Sequence, residues 1–215
     1  MNRHISEKRN LSGLLFDLDG TLLDSFPAHF TAYQLMFARF KIDITEESFL
    51  NSYSPNWYHT YQQMGLPEAS WSEANYYWIE EAKKRPPELF PGTRETLTRL
   101  SEYYRLGIVT SGTKSRVIRD LERTGIKSFF DVLITGDDVE QPKPAPEGLH
   151  LALDHLNMRA CESAYIGDAQ ADYEMAQAAG VYFVGIPSGF ASLKPDHPCF
   201  KIQEITDLID VFVSR

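Results

Sequence analysis

Short apolar runs that end on polar residues, with helical stretches between them, constrain this 215-residue chain more than any other feature. Leu14-Leu15-Phe16 ends at Asp17, and residues 13–17 read as a first strand. Leu106-Gly107-Ile108-Val109 ends at Thr110-Ser111-Gly112, and Val132-Leu133-Ile134 forms a third run. Ala164-Tyr165-Ile166 ends at Gly167-Asp168, and Val181 to Ile186 makes a fifth strand. From Thr93 onward these runs alternate with predicted helices. One covers 93–104, the next stops at Gly125, and another is opened by Pro146 and reaches Asn157; a fourth stops at Gly180, and the last covers 205–212. Such alternation implies a parallel sheet with helices on both faces.

Between the first strand and Pro86 the pattern is helical only. Ser25 is placed to cap a helix over 25–40, with Pro27 in its first turn. Phe26, Phe30, Tyr33, Phe37 and Phe40 fall on one apolar stripe, the pattern of packing. Thr45 opens a short helix with Glu46 and Glu47 in its first turn. A segment over 53–65 is broken by Pro55. Ser70-x-x-Glu73 is a capping-box pattern for a helix to Lys84, which Pro86-Pro87 stops. Two parts are expected: a core of residues 1–25 and 86–215, and a helical insert of residues 26–85.

Composition limits the function. No run approaches the ~20 apolar residues that span a bilayer. The polar start, Met1 to Asn10, does not look like a signal peptide. Cys161 and Cys199 have no metal-ligand spacing, so a reduced, cytoplasmic setting is the expectation. A formal net charge of −9 argues against nucleic-acid binding, which needs a basic face. A small anionic substrate stays possible, because a metal and one lysine can dominate the local field. The expected partner is a small molecule, with no nucleic acid and no membrane, for a monomer or homodimer.

The first strand ends in Asp17-Leu18-Asp19-Gly20-Thr21. Alternate residues of an extended chain point the same way, so the two carboxylates can face one crevice. Like charges that close are costly without a cation or a shared proton. The pair is therefore a candidate for a divalent metal and for acid/base work. Taken alone, it is equally an ordinary polar turn. Thr110 and Asp168 also end predicted strands, however, and Lys143 lies in a loop shortly after another. In parallel sheets ligands bind beyond the carboxyl ends of the strands, where these four stretches would converge.

Together these stretches resemble the haloacid dehalogenase-like hydrolases. Asp17-x-Asp19-Gly20-Thr21 matches the first motif of that superfamily, and Val109-Thr110-Ser111-Gly112 the second. Lys143, in Gln141-Pro142-Lys143-Pro144, matches the third. Gly167-Asp168-Ala169-Gln170-Ala171-Asp172 matches the fourth. The insert resembles the small helical cap of the subgroup that includes phosphoglycolate phosphatases and β-phosphoglucomutases. The resemblance implies a Rossmann-like α/β core with helices on both faces, plus a small α-helical cap domain.

It also implies phosphoryl transfer through an aspartyl-phosphate. Asp17 would be the nucleophile and Asp19 the acid/base. Thr110 and the Ser111 N–H would bind the phosphoryl group, and Lys143 would offset its charge. Mg²⁺ would be held by Asp17, Asp168 and the Asp19 backbone carbonyl. Asp172 would hold a metal-bound water or fix its loop, and Thr21 would pin the turn after Asp19.

The resemblance points to a phosphatase acting on a sugar or other alcohol phosphate. A phosphosugar mutase is the alternative, and a non-enzymatic binding member the third reading. Asp19 disfavours dehalogenases and phosphonatases, which lack a carboxylate there. His29 lies five residues past Asp24, as in mutase-like members, and is equally a histidine on the side of a helix. No Lys or Arg occurs between Lys41 and Lys83. That absence argues for a neutral leaving group, polar or partly apolar. Trp57, Trp71 and Trp78 all fall in the insert, where large side chains can build a small core. The run Lys83-Lys84-Arg85 is expected to face solvent.

Overall fold

A computed structural model describes residues 11–53, 57–190 and 199–213. The polar N-terminal stretch and the Pro55 break lie outside the described residues. The chain divides into two compact units, Met1–Asp24 with Leu89–Arg215, and Ser25–Glu88.

The larger unit is built on a parallel sheet of six strands among the described residues. They are β1 (Gly13–Phe16), β4 (Arg105–Val109), β5 (Val132–Ile134), β6 (Ser163–Gly167), β7 (Tyr182–Gly185) and β8 (Phe200–Lys201); the two-residue strands β2 (Leu23–Asp24) and β3 (Glu88–Leu89) lie outside it. The order is β5-β4-β1-β6-β7-β8, with β1 between β4 and β6. Leu14 pairs with Leu106 on one side and Ala164 on the other; Phe16 pairs with Ile108 and Ile166. Leu14 and Phe16 join the core on one face with Leu97, Leu121 and Leu208, whereas Leu15 joins the other face with Leu149, Leu153 and Met175. Both faces of β1 are thus covered, as its unbroken apolar run requires. Helices α5 (Thr93–Ser101), α6 (Lys114–Arg123) and α9 (Asp207–Phe212) supply the first face; α7 (Glu147–Leu156) and α8 (Gln170–Ala179) supply the second. The edge strand β8 was not expected, because two residues carry no readable period.

The smaller unit holds α1 (Phe26–Arg39), α2 (Glu46–Ser52), α3 (Trp57–Gln63) and α4 (Trp71–Lys83). Its core is Tyr33, Met36, Phe37, Phe49 and Tyr61, with all three tryptophans packed against it. His29 is buried with its ring edge-on to Trp78, at 5.4 Å between centroids. Lys83 pairs with Glu80, and Lys84 and Arg85 with Glu81, so the basic run is bound along its own helix.

Two expected caps do not form. Ser25 is already in a helical conformation, and its buried hydroxyl finds no hydrogen-bond partner. Ser70 ends a 3₁₀ turn, Glu68–Ser70, that runs straight into α4, so it too is helical and makes no cap. Glu73 accepts instead from the Tyr77 hydroxyl at 2.9 Å. Thr45 does cap α2, in a reciprocal pair with Ser48. Among the described residues, no helix is long and apolar enough to cross a membrane.

Candidate active site

The parallel ladder carries the functional residues to one end of the sheet. It continues one residue beyond two strands: Asp17 N donates to Ile166 O at 2.9 Å, and Thr110 N to Ile134 O at 3.0 Å. Asp168 directly follows β6. After Asp19 the chain must reverse at once. Gly20 has φ +80°, and a Cβ there would lie 2.5 Å from an Asp168 carboxylate oxygen, so glycine is needed twice over. The Leu18 carbonyl closes this turn by accepting from Leu22 N at 3.0 Å and Leu23 N at 2.9 Å.

Lys143 is the hub. Its ammonium donates to Asp17 Oδ1 at 2.7 Å, to the Tyr165 hydroxyl at 2.7 Å and to Asp172 Oδ1 at 2.8 Å. Three donors thus meet three acceptors. Asp172 uses its other oxygen to accept from the N–H groups of Asp168, at 3.2 Å, and Ala169, at 3.0 Å. It therefore ties the loop before α8 to Lys143. Asp168 accepts from Ser188 Oγ and, at 3.4 Å, from Thr21 Oγ1. Thr21 thus links the turn after Asp19 to Asp168, while its own N–H donates to the Leu18 carbonyl at 3.4 Å.

Asp17, Asp168 and Asp172 are buried, with ligand atoms all within 4.8 Å of one another. Burial pushes the Asp17 carboxyl up from 3.8 to about 7; Lys143 opposes that and Asp172 adds to it. Burial likewise raises Asp168 well above the usual carboxylate range, with Asp172 and Asp17 adding to it. Burial works against the Lys143 ammonium, but Asp17 and Asp172 outweigh it and raise its pKa above the ordinary value. One ammonium faces three carboxylates, so the cluster lacks positive charge and fits a hard divalent cation with oxygen ligands.

The side-chain cluster includes Asp172, which the sequence reading gave a supporting part, and not Asp19. The Asp19 carboxylate turns to Arg116, whose Nη1 donates to Oδ1 at 3.1 Å and whose Nη2 donates to Oδ2. The Thr110 hydroxyl accepts a long bond, 3.4 Å, from Gly112 N; it does not cap α6, which begins at Lys114 after Thr113. The Ser111 carbonyl lies against Gly136, where an added Cβ would be 2.6 Å away. Sequence reasoning missed Tyr165 and Arg116. For Tyr165 the signal was a phenol inside an apolar strand, since a buried hydroxyl needs a partner. For Arg116 it was the i,i+4 spacing to Asp120.

The parallel α/β sheet thus carries an Asp-Lys-Asp cluster beyond the ends of its strands. The chain belongs to the haloacid dehalogenase-like hydrolases, whose family model matches residues 14–186. Pyrophosphatase PpaX of Listeria monocytogenes is 31% identical over 213 residues, covering 94% of this chain and 96% of that protein. A phosphoglycolate phosphatase of Yersinia pestis is 28% identical over 214 residues, covering 93% and 92%. The solved structure of a haloacid dehalogenase-like hydrolase from Bacteroides fragilis superposes with a TM-score of 0.84 at 31% identity, covering 93% of this chain and 100% of that one.

Proposed function

We propose that the protein is a Mg²⁺-dependent phosphatase that hydrolyses a small-molecule phosphomonoester, a sugar or other alcohol phosphate, through an aspartyl-phosphate. The observation that carries this reading is the Lys143 ammonium 2.7 Å from Asp17, with Asp168 and Asp172 clustered beside it. Asp17 and Asp168, with Asp172 beside them and the Asp19 backbone carbonyl, would hold Mg²⁺. The ion when bound supplies the charge neutralisation that lets a phosphate dianion approach carboxylates.

Asp17 attacks phosphorus, forming a P–O bond as the bond to the alcohol oxygen breaks. Asp19 gives that oxygen its proton. It later takes one from the water that attacks the aspartyl-phosphate, so inorganic phosphate leaves, the Asp17 carboxylate is regenerated and Asp19 regains its proton. Thr110 and the Ser111 N–H hold the phosphoryl oxygens. Lys143 balances charge at Asp17 throughout and keeps its carboxylate aimed. In this reading residues 26–85 would be the helical cap. A monomer or homodimer in the cytoplasm belongs to the same reading.

The test is phosphate release from p-nitrophenyl phosphate, with and without Mg²⁺, by wild type and Asp17→Asn. Metal-dependent release that Asp17→Asn abolishes is the expected result. No release by the folded wild type, together with sugar-phosphate isomerisation that needs an added bisphosphate, would replace the phosphatase with a mutase.

A further inference from the structure

We propose that Arg116 is the subsite for an anionic group on the leaving portion of the substrate. The substrate is then a phosphomonoester whose alcohol carries a carboxylate or a second phosphate. The inference rests on the phosphatase reading above, and it replaces the neutral leaving group expected from the helical insert alone.

Arg116 is the third residue of α6 and is held from several sides. Asp120, fully buried one turn along, has Oδ2 3.5 Å from Nη1, and its Oδ1 accepts from Arg119 Nε at 3.3 Å. Gly112 leaves the guanidinium its space: a Cβ there would lie 2.2 Å from Nη2. The side chain is 12% exposed. A guanidinium fixed this way presents a flat fork that matches a two-oxygen anion.

Here the anion on that fork is the carboxylate of Asp19, with one oxygen on each guanidinium nitrogen. Asp19 is also the group assigned to the leaving oxygen. While each of its oxygens accepts from Arg116, its carboxylate is oriented to the guanidinium and held in the ionised form, which has no proton to give. A carboxylate on the leaving group has the same shape and charge, and would take Asp19's place on the fork and release it. An uncharged leaving group offers no exchange: moving Asp19 away then costs the arginine a charged partner in a mostly buried setting. The geometry thus couples recognition of the anion to the freeing of the acid/base. The insert lacks Lys and Arg between Lys41 and Lys83, and the core unit supplies the cation instead.

The experiment compares 2-phosphoglycolate with 2-hydroxyethyl phosphate, which differ in carrying a carboxylate or an alcohol. With the Mg²⁺ enzyme, kcat/KM should favour the carboxylate by about 10- to 100-fold, the range for a charged hydrogen-bonded pair. Arg116→Gln should bring the ratio toward one, and Arg116→Lys should keep part of it. A wild-type ratio near one, or Arg116→Gln lowering both substrates equally, would overturn the proposal. If circular dichroism shows Arg116→Gln unfolded, Gly112→Ala, which displaces the guanidinium, should give the same collapse.

Calorimetric binding of both compounds to Asp17→Asn, with and without Arg116→Gln, decides the subsite without turnover. A binding preference that Arg116→Gln removes supports it, and equal binding of the two compounds sinks it. A wild type that turns over neither ester, nor p-nitrophenyl phosphate, would count against the phosphatase reading alone.

Discussion

Tyr165 accepts a 2.7 Å hydrogen bond from Lys143 and donates one of 2.8 Å to the carbonyl of Val109. The phenol therefore joins the site lysine to the end of β4, one residue before Thr110. Burial, with Asp172 and Asp17 nearby, pushes its pKa well up, so the hydroxyl keeps its proton and remains a donor.

Removing that hydroxyl should loosen Lys143 without removing it. Tyr165→Phe is expected to lower kcat on p-nitrophenyl phosphate about 10-fold and to cost about 1–2 kcal/mol in urea unfolding, the scale of a buried hydrogen bond left unmade. Normal kcat with reduced stability would show that the phenol only packs.

Proton linkage at the carboxylate cluster should be visible when metal is chelated. The folded pKa of Asp17, about 7, lies above its ordinary 3.8. A group with a raised folded pKa contributes stability below its unfolded pKa and loses it as pH rises through the folded one. With EDTA present, Tm should therefore fall between about pH 4 and about pH 7, and Asp17→Asn should flatten part of that slope. Added Mg²⁺ should raise Tm more at pH 8 than at pH 5, because at pH 5 protons compete for the same oxygens. A Mg²⁺ shift independent of pH would place the ion elsewhere.

Asp172 bonds to Lys143, Tyr165 and two backbone N–H groups while lying in the acidic cluster. Asp172→Asn should raise the Mg²⁺ concentration for half-maximal activity about 10- to 100-fold, as loss of an orienting or ligating carboxylate does. An unchanged Mg²⁺ requirement would limit Asp172 to holding its loop.

Much of the fold was readable because its signals are local. The apolar run Leu14-Leu15-Phe16, the stop at Gly180 and the helical stripe through Tyr33 and Phe37 each lie within one element. The caps expected at Ser25 and Ser70 failed for a reason that local pattern does not carry. Ser70 ends a 3₁₀ turn and Ser25 follows a strand, yet both serines are in the helical region, where neither side chain makes a cap. In the site, Asp17, Lys143 and Asp168 stood out as polar residues at or near strand ends. Tyr165 and Arg116 did not, because one lay hidden in a strand and the other on an ordinary charged helix.

The sequence by itself determined the alternation of strand and helix, hence a parallel sheet with its chemistry at the carboxyl ends. It also determined which acids and which lysine stand there, since periodicity and strand ends are properties of neighbouring residues. Only the tertiary structure decided the strand order that puts β1 between β4 and β6, the entry of Asp172 into the acidic cluster and the fork of Arg116 on Asp19. Arg116 and Asp19 are 97 residues apart in the chain, and they meet only because α6 follows the strand paired beside β1. A contact of that kind is fixed by packing across the sheet, which no local pattern records.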